Sequence, residues 1–88
     1  PGAGLDVIAT LRLARVQAEQ GQIDAALATL DQVTDKAFFA QRDELKGDFL
    51  VRQGDVEKAK TAYQAAMDNG GVVTSPALKI KLDSLNQA

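Results

Sequence analysis

Two glycines 33 residues apart, Gly21 and Gly54, set the frame for this 88-residue chain. Superposing them aligns the stretch from Ala14 to Ala26 with the stretch from Gly47 to Ala59. In that register small residues meet at Ala14 and Gly47, Gln20-Gly21 recurs as Gln53-Gly54, Ile23 matches Val56, Asp24 matches Glu57 and Ala26 matches Ala59. Agreement continues at Leu30/Tyr63 and Val33/Ala66, so it runs through two successive segments. Self-similarity at such a period marks stacked supersecondary units, because each unit buries its apolar face on the next.

The apolar spacing within each unit is helical. Ile23, Ala26, Leu27, Leu30 and Val33 follow one stripe of an amphipathic helix, and Val56, Ala59, Tyr63, Ala66 and Met67 draw a similar one. The segment before Gly21 is apolar on more than one face (Val7, Ile8, Leu11, Leu13, Val16), as a helix between two neighbours would be. Phe38, Leu45 and Phe49 form a row on the next helix, with Phe39 and Leu50 displaced from it. Helices are therefore expected near 6–20, 23–33, 36–53, 56–68 and 76–86. No strand is expected, and Val72-Val73-Thr74 reads as a short linker.

Punctuation agrees with this division. Gly21 and Gly54 stand where a helix ends in a left-handed residue, which glycine adopts without a Cβ clash. Asp55 should cap the following helix, Gln22 is a poorer cap, and Thr34 or Asp35 should cap the helix carrying Phe38. Ser75-Pro76 reads as an N-cap followed by proline in the first helical position. Leu78, Leu82 and Leu85 give the last helix an apolar edge, with Lys79, Lys81 and Asp83 expected in water. The fold class is all-α: two helical hairpins, about 6–34 and 36–69, closed by a capping helix at about 76–87, in one domain over 1–88.

Composition removes several functions. A formal charge of −2 with interspersed signs lacks the basic stripe that phosphate backbones require, so nucleic acid is not an expected partner. With no cysteine and no histidine, disulfides, thiolate metal sites and the commonest catalytic bases and nucleophiles are gone. Gly70-Gly71 lacks the flanking strand and lysine of a phosphate cradle. Asp43, Glu44 and Asp48 offer a carboxylate cluster without an oxygen-rich loop beside it. No cofactor, metal or catalytic activity is expected. No run approaches the ~20 apolar residues of a membrane span, and no signal peptide is seen. The start, Pro1-Gly2-Ala3-Gly4 without an initiator Met, reads as an excised or processed segment.

Small residues midway along the first helix (Ala14, Gly47), corner glycines (Gly21, Gly54) and alanines early in the second helix (Ala26, Ala59) resemble the tetratricopeptide repeat. The units are divergent. Thr10 and Asp43 stand where that repeat has a large aromatic, and Phe38 and Gly71 where it has its closing proline. A likeness over nearly the whole chain is carried by Leu11-Arg12-Leu13-Ala14-Arg15-Val16-Gln17, Ala26-Leu27-Ala28-Thr29-Leu30-Asp31, Asp43-Glu44-Leu45-Lys46-Gly47-Asp48, Gln53-Gly54-Asp55, and the stretch from Pro76 to Leu85. These strings resemble the periplasmic domain of the YfgM family. The resemblance implies a bacterial inner-membrane protein with one N-terminal span and a periplasmic tetratricopeptide domain. It further implies an ancillary role at the Sec translocon, with the periplasmic chaperone PpiD and exported polypeptides as partners. This chain would be the C-terminal part of that domain, with the span and first helices outside it.

In stacked repeats the first helices line a concave groove. Carrying its positions over gives Ile8, Leu11, Arg15, Ala18 and Glu19, then Gln41, Glu44, Asp48, Val51 and Arg52. These offer mixed-charge hydrogen bonding around an apolar strip. As plain surface, the same residues would make i, i+4 contacts such as Arg15–Glu19 and Asp48–Arg52, with Glu44–Asp48 repulsive. Glu44 and Asp48 should also repel the carboxylate ligands that some tetratricopeptide domains grip. Phe38-Phe39 is read as core and inter-repeat packing rather than a partner anchor. The edge at Leu5, Ile8 and Leu11 should be left bare, giving weak self-association. The function expected is a non-catalytic protein-interaction module at the translocon. A tetratricopeptide scaffold in another bacterial envelope assembly is the alternative, and a metal- or carboxylate-dependent enzyme fragment a remote one.

Overall fold

The computed structural model describes residues 3–87. Six α-helices follow one another: α1 (Ala3–Glu19), α2 (Ile23–Leu30), α3 (Phe39–Gln53), α4 (Val56–Asp68), α5 (Gly71–Thr74) and α6 (Ala77–Asn86), with a 3₁₀ turn at Lys36–Phe38 before α3. Among the described residues there is no strand. α1 pairs with α2 and α3 with α4, α2 leans on α3, and α6 lies on α4.

The two hairpin corners are superimposable in their hydrogen bonding. At the first, Gly21 (φ 81°) donates its N–H to the Ala18 carbonyl and Gln22 donates to Gln17. At the second, Gly54 (φ 88°) donates to Val51 and Asp55 to Leu50. Each pair of bonds satisfies carbonyls left open at a helix end, and only a left-handed residue lets the chain turn back to make both. Asp55 then caps α4, its carboxylate accepting from the Lys58 N–H at 3.2 Å, whereas Gln22 makes no side-chain cap. Asp35, not Thr34, caps the 3₁₀ turn by accepting from the Ala37 N–H.

Three departures from the sequence expectation have local causes. The second helix ends at Leu30 rather than at Val33, because its last turn tightens into i→i+3 bonds (Gln32 to Thr29, Val33 to Leu30). Val33 still reaches the core, 2% exposed. The expected linker at Val72–Thr74 is instead the helical turn α5, started by Gly70 at φ 79° and closed by the Ser75 N–H on the Gly71 carbonyl. Ser75 places no hydroxyl on the end of α6, where no side-chain cap forms.

Small residues set the helix spacing. Ala14, Ala18, Ala26, Ala59 and Ala66 are all at most 1% exposed, sitting where helices approach closely. One core lies between α1, α2 and α3 around Leu30 and Phe49, and another between α4 and α6 around Tyr63 and Leu78. Leu50 with Ala59 and Ala62 joins α3 to α4, and Leu27 packs against both this group and the first core. Phe38 packs on the first core half-buried, and Phe39 lies 4.0 Å beneath the Arg42 guanidinium, so neither ring stands free. Arg42 also donates to the Val33 carbonyl and to Asp43, stapling the end of the first hairpin to α3.

The tightest approach is at Gly47, buried in mid-α3, where a Cβ would overlap the Tyr63 ring of α4, with Cζ at 2.9 Å. Alanine would gain ~1 kcal/mol of helix propensity there but overpack the helix pair by ~1–3 kcal/mol. Gly47→Ala is therefore expected to lower stability in urea unfolding, and Gly47→Leu to prevent cooperative folding. At Gly21, where nothing lies within 4 Å of the missing Cβ, alanine should cost ~1 kcal/mol through backbone strain alone, and asparagine less.

An interhelical cleft as the candidate functional site

A cleft of about 280 Å³ lies between α1, α3 and the α5–α6 junction. Arg15 of α1 faces Gln41, Glu44 and Asp48 of α3 across it, with Leu45 at its base, and Thr74, Ser75 and Lys81 complete the wall. Helical spacing explains the α3 set, since residues 41, 44, 45 and 48 share one face.

The last helix reaches into this cleft. The Lys81 ammonium donates to Glu44 Oε2 at 2.8 Å and lies 3.1 Å from Asp48, and the Ser75 hydroxyl donates to the same Glu44 oxygen at 2.9 Å. Asp48 also accepts from the Tyr63 hydroxyl at 2.6 Å. Lys81 is thus half-buried and spent on an ion-pair network, not turned to water as its place beside Lys79 and Asp83 suggested. Burial disfavours its ammonium, but the hydrogen bonds it donates to Glu44 and Asp48 outweigh that cost and raise its pKa above the ordinary lysine value. Burial, then the bond to Asp48, drives the Tyr63 phenol well above its ordinary range. The expected repulsion between Glu44 and Asp48 is relieved by the cation between them, which also weakens the argument that this pair repels an acidic ligand.

The other sequence candidates fall elsewhere. Leu11 and Ala18 are core residues, 8% and 1% exposed, turned away from the cleft. Ile8 is 40% exposed and Val51 39%, and neither lines it. Glu19 does not pair with Arg15, nor Asp48 with Arg52. Instead Arg52 reaches Glu19 at 3.7 Å, a surface bridge between the hairpins. Such exposed pairs contribute ~0–1 kcal/mol. Asp43 leaves the acidic trio altogether: it is 6% exposed and held by Arg42. Among the described residues no three acidic side chains gather as they would around a metal ion. Arg15 and Gln41 make no side-chain hydrogen bond or ion pair among the described residues, so they are the cleft's unspent polar groups. Ser75 and Lys81 could not be found from sequence, because their partners lie 31 to 37 residues away.

Both raised pKa values mean that the folded state holds a proton more tightly than the unfolded chain does. Their contribution is complete below about pH 10 and is lost as the pH climbs through the folded values. Urea unfolding of the wild type should show stability falling above about pH 10, and the Tyr63→Phe/Lys81→Met double variant should show a flatter profile. At neutral pH Lys81→Met alone should cost ~1–2 kcal/mol, because Glu44 and Asp48 are left facing one another without a counter-ion.

Comparison with known proteins gives this geometry a context. Residues 1–87 match the family described as tetratricopeptide repeat-like domain. The chain is 37% identical over 81 residues to an ancillary SecYEG translocon subunit of Aggregatibacter actinomycetemcomitans and 40% identical over 81 residues to one of Haemophilus influenzae, each alignment covering 92% of this chain and 40% of the relative. The corresponding Escherichia coli protein is 34% identical over 83 residues, 93% of this chain and 40% of that one. The YfgM-like strings in the sequence lead to these same relatives. The chain spans about two-fifths of their length. No solved structure matches it. A paired-helix stack with like corners 33 residues apart, matched from end to end by that family, makes the conclusion direct: this chain belongs to the tetratricopeptide repeat-like domain family.

Proposed function

We propose that this chain is a non-catalytic protein-interaction segment of an ancillary Sec translocon subunit, and that the cleft between α1, α3 and α6 is where it takes hold of a polypeptide. The observation that carries the reading is the open cleft itself, in which Arg15 and Gln41 keep their hydrogen-bonding capacity unspent above Leu45. The translocon assignment is supported by the relatives, which are ancillary SecYEG translocon subunits, and by the share of this chain that aligns with them. A scaffold is also what the residues allow. The sequence has no histidine or cysteine, and the two cleft carboxylates share the Lys81 ammonium.

In this reading the full-length protein is anchored in the bacterial inner membrane and presents these helices to the periplasm. Its partners are translocon subunits, a chaperone such as PpiD, or exported chains. No helix of the described residues is long and apolar enough to cross a membrane, so an anchor would lie elsewhere in the protein. The test is site-specific photocrosslinking from Arg15 and Gln41 in the full-length, membrane-bound protein. Adducts with translocon, chaperone or exported polypeptides at these sites, but not from Glu57 on the far helix, are the expected result. Equal adducts from all three sites would remove the cleft from the account.

A weak contact between copies of the isolated chain is proposed as well. The outer face of α1 exposes Leu5 (66%), Ile8 (40%), Leu13 (50%) and Val16 (51%), while Leu11, first counted with that edge, is buried. Sedimentation should give an average mass that rises at high concentration and falls back in Leu13→Glu/Val16→Glu. A strict monomer throughout would dismiss it.

A further inference from the structure

α3 works on two sides. At about 100° per residue, Gln41, Glu44 and Asp48 point to the cleft, while Lys46, Leu50 and Gln53 point the opposite way. That second side is the floor of a larger trough, about 570 Å³, bounded by α2 and α4, which both pack on α3. Leu27, Leu50, Ala62 and Ala65 make its base apolar. Its walls differ in charge. Asp24 of α2, which accepts from Gln53 Nε2 at 2.6 Å, and Asp31 just past the end of α2 line one side, whereas Lys46 of α3 and Lys58 of α4, the latter 3.8 Å from Asp55, supply the cations. Asp31 and Lys46 make no side-chain ion pair or hydrogen bond among the described residues.

The shape and chemistry select the occupant. α3 contributes residues 43 to 53 to the floor, a length of ~15 Å at 1.5 Å per residue. The trough's apolar base, Leu27, Leu50, Ala62 and Ala65, is mid-helix, with its backbone groups already bonded. An extended peptide would lay its own N–H and C=O groups on an apolar base that offers them no partner. A helix satisfies its backbone internally and can lower one apolar face between the walls, where Ala62 and Ala65 allow close approach.

We propose that this trough receives a short amphipathic helix from a partner protein, with a leucine- and alanine-type face inserted, a basic edge against Asp24 and Asp31, and an acidic edge toward Lys46 and Lys58. This site stands apart from the cleft and does not depend on it.

The test uses fluorescein-labelled 15-residue peptides of Ala, Leu, Lys and Glu, with one Leu/Ala face and defined edges. The peptide with one Lys edge and one Glu edge should bind saturably. Peptides with Lys on both edges or Glu on both, and one interrupted by two prolines, should bind at least fivefold more weakly. Amide shifts on binding should fall at 24–31 and 58–65. Thr61→Arg, a change at an exposed wall position, should abolish binding while circular dichroism stays unchanged. Asp24→Lys/Asp31→Lys should move the preference to the peptide with two Glu edges. Equal binding of the proline peptide, unaltered binding to Thr61→Arg, or shifts confined to α1 or the cleft would overturn the proposal. So would concentration-dependent shifts at 24–31 and 58–65 without peptide, since a second copy would then be the occupant.

Discussion

The ring of Tyr63 lies flat against the bare backbone of Gly47, and from that contact the rest of the arrangement can be traced. Because residue 47 has no side chain, α4 comes close enough to α3 for the Tyr63 hydroxyl to reach Asp48. Asp48 shares Lys81 with Glu44, and Glu44 accepts from Ser75. One missing methyl group thus links the second hairpin to the closing helix through a connected set of charge-assisted bonds. Such bonds are stronger than neutral ones and fix direction as well as distance. The apolar residues around them, Leu78 and Leu82 on α6 against Ala66 and Tyr63 on α4, supply the area, and the polar chain supplies the register.

A stack of this size has little interior, and it economises by using alanine. Six core alanines hold the helices near each other without the entropy cost of large side chains. The consequence is that α3, with neighbours on both flanks, has two remaining sides that are only partly covered. One forms the polar cleft and the other the apolar-based trough. A repeat scaffold of helix pairs gives both surfaces from one geometry, since each helix added on one side leaves a gap beside it. The two differ in chemistry because the closing helix brings Lys81 and Ser75 into the cleft, whereas the trough keeps an apolar base of Leu27, Leu50, Ala62 and Ala65 between charged rims.

Much of the fold could be read along the chain. The corners at Gly21 and Gly54, the cap at Asp55 and the apolar stripes of α2 and α4 depend on residues within four or five positions of one another. The last turn of α2, the turn α5 and the free hydroxyl of Ser75 could not be read this way. Val72, Val73 and Thr74 have low intrinsic helix propensity between glycines and Ser75, and a single turn there is held by Gly70 and the buried Gly71 rather than by propensity. Of the groove candidates, Arg15, Gln41, Glu44 and Asp48 line the cleft, whereas Leu11 and Ala18 are buried in the core between α1, α2 and α3. Position in the repeat does not separate the two sets, because which face of α1 is covered depends on how the helices pack.

By itself, the sequence determined the helices, their reversals and the 33-residue step, since each is a matter of backbone geometry, capping and spacing within a turn or two. Tertiary structure alone decided the partners of Lys81 and Ser75, whereas pairs such as Lys79–Asp83 and Lys60–Glu57 lie within one helical turn. Lys81 and Asp48 stand 33 residues apart and Ser75 and Glu44 31, and only the docking of α6 brings them within hydrogen-bond reach. Charge pairing falls off over a few ångströms, whereas the local pattern of the chain specifies neighbours only along one helix, so the partnering had to wait for the fold.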